Sequence, residues 1–158
     1  MNTVNAKRTR GFSLIELVIV VVIIAIIGAI AIPRMSRGAA GAADSALTAN
    51  VSQIRKALDL YAAEHGGSFP TAASFVAALT TYSDSTGATN ATKTATFIYG
   101  PYLRAVPTLP VGAEKGGTTV AAAAATGVAW IYDATAGTVT ANCADAEVDV
   151  SNKKYNTY

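Results

Sequence analysis

Between Leu17 and Ile32 the chain carries no polar side chain. No other feature constrains the fold as much, because a soluble domain of this size cannot bury such a run on all sides. From Phe12 to Ile32 is 21 residues, about 32 Å as a helix, against a bilayer core of roughly 30 Å. Val and Ile dominate the run and are mediocre helix formers in water. Lipid forces helix on them, since every backbone polar group must be satisfied within the segment. Lys7, Arg8 and Arg10 precede the run and favour a cytoplasmic N-terminus, although Arg34 and Arg37 stand on the far side. Glu16 lies near the start of the run, where a carboxylate needs a reason.

Three readings of this segment compete. It is a plain membrane anchor, or a secretory signal cut at the A-x-A-like triplet Ala29-Ile30-Ala31, or a segment kept after a cut following Gly11. An ordinary secretory signal has no use for Glu16, and its apolar region is commonly shorter. The third reading accounts for the residues best. Gly11-Phe12-Ser13-Leu14-Ile15-Glu16-Leu17, with its short basic leader and long apolar run, resembles the processing site of type IV prepilins and type II secretion pseudopilins. The resemblance implies that a membrane-embedded prepilin peptidase cuts between Gly11 and Phe12 and methylates the new Phe12 amine. It also implies that Glu16 meets the Phe12 amine of a neighbouring subunit in a filament. Such a pair in a nearly dry helix bundle sets register more than it adds stability. Gly28 and Pro33 are expected to interrupt the helix, Pro33 by removing a backbone hydrogen bond, with a kink over 29–33.

Beyond Arg37 the composition turns to Ala, Gly and Ser, and then a helical period appears. Leu47, Val51, Ile54, Leu58 and Tyr61 recur at spacings of 4, 3, 4 and 3, one apolar face of an amphipathic helix. Gly66-Gly67 stops it, and His65 in its last turn is expected on the surface, complementing the helix dipole. Thr71 is expected to cap a short helix reaching Tyr82, with Phe75 and Leu79 buried. Residues 83–96 are rich in Ser, Thr, Ala and Gly and are expected to form a surface loop. Residues 97–107 form an aromatic-anchored connector, because Pro101, Pro107 and Pro110 forbid regular structure.

Val128–Tyr132 and Thr138–Asn142 are expected strands joined by a hairpin loop over 133–137, with Val128, Trp130 and Tyr132 on one face. Thr118–Ala124 is a candidate third strand. Asp145, Glu147 and Asp149 alternate with Ala146, Val148 and Val150. An edge strand with a charged outer face explains that alternation, and a Ca²⁺ site is the rival reading of the three carboxylates. The tail over 151–158 is polar and is expected to fray. The resulting organisation is a cleaved leader (1–11), a transmembrane and filament-core helix (12–36), an amphipathic helix (37–66) and a globular head (67–158). The fold class is α+β, pilin-like, with one long helix packed on a small antiparallel sheet.

Composition narrows the function. Residues 1–37 hold five basic residues against Glu16 alone, a net +4, and the remainder holds seven basic and nine acidic residues, a net −2. The head has no basic footprint for nucleic acid. One Cys (Cys143) and one His (His65) leave no disulfide within the chain and poor material for a Cys/His dyad or a multi-ligand His/Cys site. No cofactor is expected apart from the possible Ca²⁺, and no enzymatic activity.

A second match supports the family reading. Tyr102, Leu103, Pro107, Pro110 and Gly112 resemble the Tyr-Leu-x-x-Leu-Pro-x-Asp-Pro-Trp-Gly pattern of major pseudopilins, with Leu109 and Val111 departing at its Asp and Trp. The resemblance implies a subunit of a homopolymeric filament. Its partners would be the prepilin peptidase, an inner-membrane assembly platform and minor pseudopilins, and its head would be periplasmic. A type IV pilus pilin and a secreted binding domain are the alternatives.

Overall fold

The computed structural model describes residues 12–158. Helix α1 spans Leu14–Glu64, and its helical assignment continues through both Gly28 and Pro33. Neither residue ends the helix: a proline removes one donor, and the remaining backbone bonds carry the helix past it. The chain divides into two compact units, one ending at Gly38 and the other running from Ala39 to Tyr158. Residues 39–64 of α1 fall in the second of these units, here called the head.

In the first unit, Leu14–Ala31 has a mean hydropathy of 3.2, and none of it is buried. Among the described residues it is the helix segment long and apolar enough to cross a membrane. Leu17, Ile24, Ile27 and Ile30 are each more than half exposed, so apolar surface points outward all round the helix.

The second unit builds its core on the stripe read from the sequence. Leu47, Ile54 and Leu58 are fully buried, and Val51 and Tyr61 nearly so. Gly66 and Gly67 take φ of 64° and 85°, and Gly67 N–H closes back on Ala62 O at 2.7 Å. That left-handed ending is open to glycine at little cost. Helix α2 (Phe75–Thr80) is shorter than expected, because Ser74 rather than Thr71 occupies its N-cap position. The Thr71 hydroxyl still accepts from the Ser74 N–H at 3.2 Å. Phe75, Ala78 and Leu79 are buried as α2's inner face.

Two small sheets complete the head. Strands β1 (Tyr82–Ser83) and β2 (Thr89–Asn90) pair antiparallel, so the expected plain loop over 83–96 contains a hairpin. Asp84 organises its turn by accepting the N–H groups of Thr86 and Ala88 at 2.8 and 3.0 Å. Such Asx turns form from local side-chain bonding, which apolar periodicity does not register. Strands β4 (Trp130–Asp133) and β5 (Thr138–Ala141) pair antiparallel as expected, with Asp133 opposite Thr138. Strand β3 (Val120–Ala121) is shorter than expected and lies parallel to β4, which corrects the all-antiparallel sheet. A parallel crossover commonly needs a dozen or more residues; a strand of two residues lets the turn over 122–129 suffice.

Trp130 and Tyr132 are fully buried and anchored at their polar ends. The indole Nε1–H donates to Pro107 O at 2.9 Å, and the Tyr132 hydroxyl donates to Pro70 O at 2.9 Å. The Tyr132 ring meets Phe75 edge-on at 4.6 Å. The connector expected over 97–107 seals the stripe with Leu103 and Val106. Ile54→Ala is expected to cost about 2–5 kcal/mol, and Leu60→Ala, on the exposed face of the same helix, to stay within about 0.5 kcal/mol. Chemical denaturation of the full chain in detergent, followed by Trp130 fluorescence, measures both.

Candidate functional site

The processing bond expected after Gly11 lies at the edge of the described residues, with Gly11 outside them. Phe12 and Ser13 lead into α1, and both are exposed. The Ser13 N–H donates to Glu16 Oε2 at 2.9 Å. Ser13 stands at the N-cap and Glu16 three residues on, the acidic residue of the first turn. This is the glutamate half of a capping box. Sequence reasoning missed that role, although Ser13-x-x-Glu16 was its signal. The first-turn carboxylate also complements the partial positive charge of the helix N-terminus. One interaction thus holds Glu16 at the end of the helix on which the expected new amine at Phe12 is carried.

The carboxylates of the C-terminal segment sit elsewhere than expected. Residues 145–150 form turns with one isolated bridge from Val148 to Lys154, and the edge strand does not form. Three local demands override the alternation. Asp145 takes the Lys154 ammonium at 2.7 Å and the Asn156 amide at 2.8 Å. Glu147 Oε2 accepts the Ala144 N–H at 2.7 Å. Asp149 accepts the N–H groups of Ser151 and Lys153 at 2.7 and 2.8 Å and the Tyr158 hydroxyl. The structure therefore directs Asp145, Glu147 and Asp149 to three separate sets of internal donors. No cluster of three or more His, Cys, Asp or Glu is placed to hold a metal among the described residues.

The tail expected to fray is docked instead. Asp44 on α1 is buried and accepts the Val150 N–H at 3.1 Å and the Tyr155 hydroxyl at 2.7 Å. Arg55 Nη2 donates to Tyr158 O at 2.7 Å and to Val139 O at 3.2 Å. A polar residue on an otherwise polar helix face gives no hint of a partner more than a hundred positions away, so this latch was invisible to periodicity.

His65 corrects a further expectation. It is buried, its ring stacks on Tyr61 at 3.8 Å, and its Nδ1 lies 2.8 Å from Tyr61 O. A stacked ring over a helix end is a packing element, and the surface dipole role does not apply. Nearby, the Tyr102 hydroxyl donates to Glu64, and burial pushes the Tyr102 phenol well above its ordinary value.

Cys143 is partly buried, and burial together with the Glu147 carboxylate pushes its thiol up to about 11. It is protonated at neutral pH and is a poor nucleophile there. It packs against Gly112, whose φ is 76° and where a Cβ would stand 2.6 Å from Sγ. A cleft of about 540 Å³ runs beside it, bordered by Glu114, Asn142, Cys143 and Glu147.

Two outcomes follow. Hydrogen bonds from Lys154 and Asn156 lower the Asp145 pKa, and those from Tyr158 and backbone N–H groups lower that of Asp149. Their contribution is full above the ordinary aspartate pKa of about 3.9 and is lost as the pH falls through their lower folded values. Amide exchange over residues 144–158 is therefore expected to accelerate selectively in acid, before the β4–β5 pairs exchange. Alkylation of Cys143 at pH 8.5 is expected to run roughly tenfold or more slower than that of an unhindered thiol, as a timed mass measurement would show.

Comparison with known proteins agrees with the N-terminal geometry. Residues 6–32 match the family described as prokaryotic N-terminal methylation motif. No curated protein and no solved structure shows significant similarity to the chain. With the exposed apolar half of α1, the match supports membrane anchoring. The chain thus carries at its N-terminus a prokaryotic N-terminal methylation motif, running into the apolar half of α1.

Proposed function

We propose that the chain is a structural subunit of a type II secretion pseudopilus, processed between Gly11 and Phe12 and assembled into a helical filament that aids protein export. One observation carries this reading: the methylation motif over residues 6–32 overlaps the start of a helix whose apolar residues have no cover among the described residues. That surface suits two environments in turn. Lipid covers it while the subunit waits in the inner membrane, and neighbouring subunits cover it in the filament. Lipid tails are as apolar as Leu, so the exchange gains little hydrophobic energy, and packing and polar pairs decide the register.

Glu16 supplies the polar pair. Cleavage creates a cationic amine at Phe12, and a neighbour's Glu16 accepts it. A carboxylate within the membrane costs about 2.5–3.5 kcal/mol on insertion scales, and less near an interface. The Ser13 N–H offsets part of that cost in the unassembled subunit. The head remains on the periplasmic side, and the prepilin peptidase, the assembly platform and minor pseudopilins are its partners. The subunit works by assembly, without catalysis and without a cofactor.

A type IV pilus pilin is the second reading. It is favoured by Leu109 and Val111, which are core residues here and stand where the major pseudopilin pattern has Asp and Trp. Loss of secretion without loss of surface pili on deleting the chain would separate the two.

Glu16→Gln is expected to leave membrane insertion unchanged and to lower filament yield by at least about tenfold, the equivalent of roughly 1.4 kcal/mol per assembly step. Sedimentation of sheared filaments against the membrane fraction measures this, and an unchanged yield would refute the assembly role. The mature protein is expected to begin at methylated Phe12, which its intact mass reads directly.

A further inference from the structure

The β1–β2 hairpin leads into Asn90-Ala91-Thr92, and α1 carries a second triplet of the same kind, Asn50-Val51-Ser52. Both fit the Asn-x-Ser/Thr pattern of N-linked glycosylation, and the structure separates them sharply. Asn50 is fixed within α1, and its Nδ2 donates to Thr108 O at 2.9 Å. Val51 beside it is buried in the core. On a helix, residues two apart point to different sides, so Asn50 and Ser52 cannot be presented together. The Asn50 amide is unavailable in the folded head.

Asn90 is in the opposite situation. It ends β2, and residues 91–96 after it are all exposed. Its Oδ1 accepts the Thr92 N–H at 2.8 Å, while its Nδ2 donates no hydrogen bond among the described residues. The bond to Oδ1 closes an Asx turn that brings the amide and Thr92 to one bend. A hydrogen bond on the carbonyl oxygen also draws electron density from the amide and makes its N–H more acidic. A folded head can offer this bend to an enzyme without unfolding.

We propose that Asn90 is a glycosylation site, the acceptor of an N-linked saccharide delivered by a membrane-bound transferase. This rests on the head lying on the far side of the membrane, as in the function proposed above. The step joins Asn90 Nδ2 to the anomeric carbon of a saccharide carried on a polyprenyl pyrophosphate. The bond from that carbon to the phosphate oxygen breaks, and the phosphate leaves with the electron pair. The amide gives up one proton to a base of the transferase, and nothing is oxidised or reduced. The saccharide would cover the Thr-rich bend and add a hydrated surface there.

The test uses the full chain purified from its native membrane. Trypsin separates the two triplets, because Arg37, Arg55, Lys56 and Lys93 place Asn50 and Asn90 in different peptides. The expected result is a mass shift of whole sugar residues on the Asn90 peptide, placed on Asn90 by fragmentation, with the Asn50 peptide unshifted. Thr92→Ser is expected to keep the shift, and Thr92→Ala and Asn90→Gln to lose it. An unshifted Asn90 peptide from the wild-type chain would overturn the proposal. So would a sugar found on a Thr hydroxyl instead, or a shift that survives Thr92→Ala. The same sample reads the N-terminus. A methylated Phe12 beside an unmodified Asn90 would sink the glycosylation site and leave the filament reading standing.

Discussion

Leu47, Val51, Ile54, Leu58 and Tyr61 place one apolar stripe along the second half of α1, and α2, the connector and the three-stranded sheet cover it. A helix with one apolar face is not stable alone in water, since most helical stability comes from packing that face. Phe75 and Leu79 of α2, Leu103 and Val106 of the connector, and Trp130, Tyr132 and Val139 of the sheet supply the cover. Their strands are short, so hydrogen-bond ladders contribute little extent. Packing on the stripe holds the sheet in place.

The first half of α1 obeys the opposite rule. Its apolar side chains stay exposed, and the segment meets its requirement through whatever surrounds it. Glu16 is the exception on that surface, and its bond from Ser13 N–H gives it a structural job before any neighbour arrives. A helix cap and an intersubunit partner make compatible demands, because both place negative charge at the helix N-terminus.

The C-terminal segment shows how a small head without a disulfide fixes its last residues. Asp44 and Arg55, both on α1, bind the backbone and hydroxyls of residues 150–158, while Lys154 neutralises Asp145 internally. Asp44 acts just before the first residue of the stripe, and Arg55 beside its middle residue, Ile54. Burial makes Asp44 consequential: removing its partners would leave a buried carboxylate unsatisfied.

Sequence alone determined what repeats or is locally encoded. The uninterrupted apolar run required a helix in an apolar setting, the 4-3-4-3 spacing fixed the buried face of α1, Gly66-Gly67 fixed its end, and Trp130 and Tyr132 marked the inward face of β4. Each follows from a period or a backbone preference carried by neighbouring residues. The tertiary structure decided what depends on contacts between distant positions. Asp145, Glu147 and Asp149 alternate like an edge strand, yet Lys154 and Asn156, the Ala144 N–H and the Tyr158 hydroxyl respectively draw them into turns. His65 reads as a surface residue and is buried because Tyr61 offers it a stacking face. Strand β3 reads as antiparallel and pairs parallel because so short a strand needs no long crossover. Such outcomes turn on which donor or ring a fold brings within reach, and no one-dimensional pattern carries that distance.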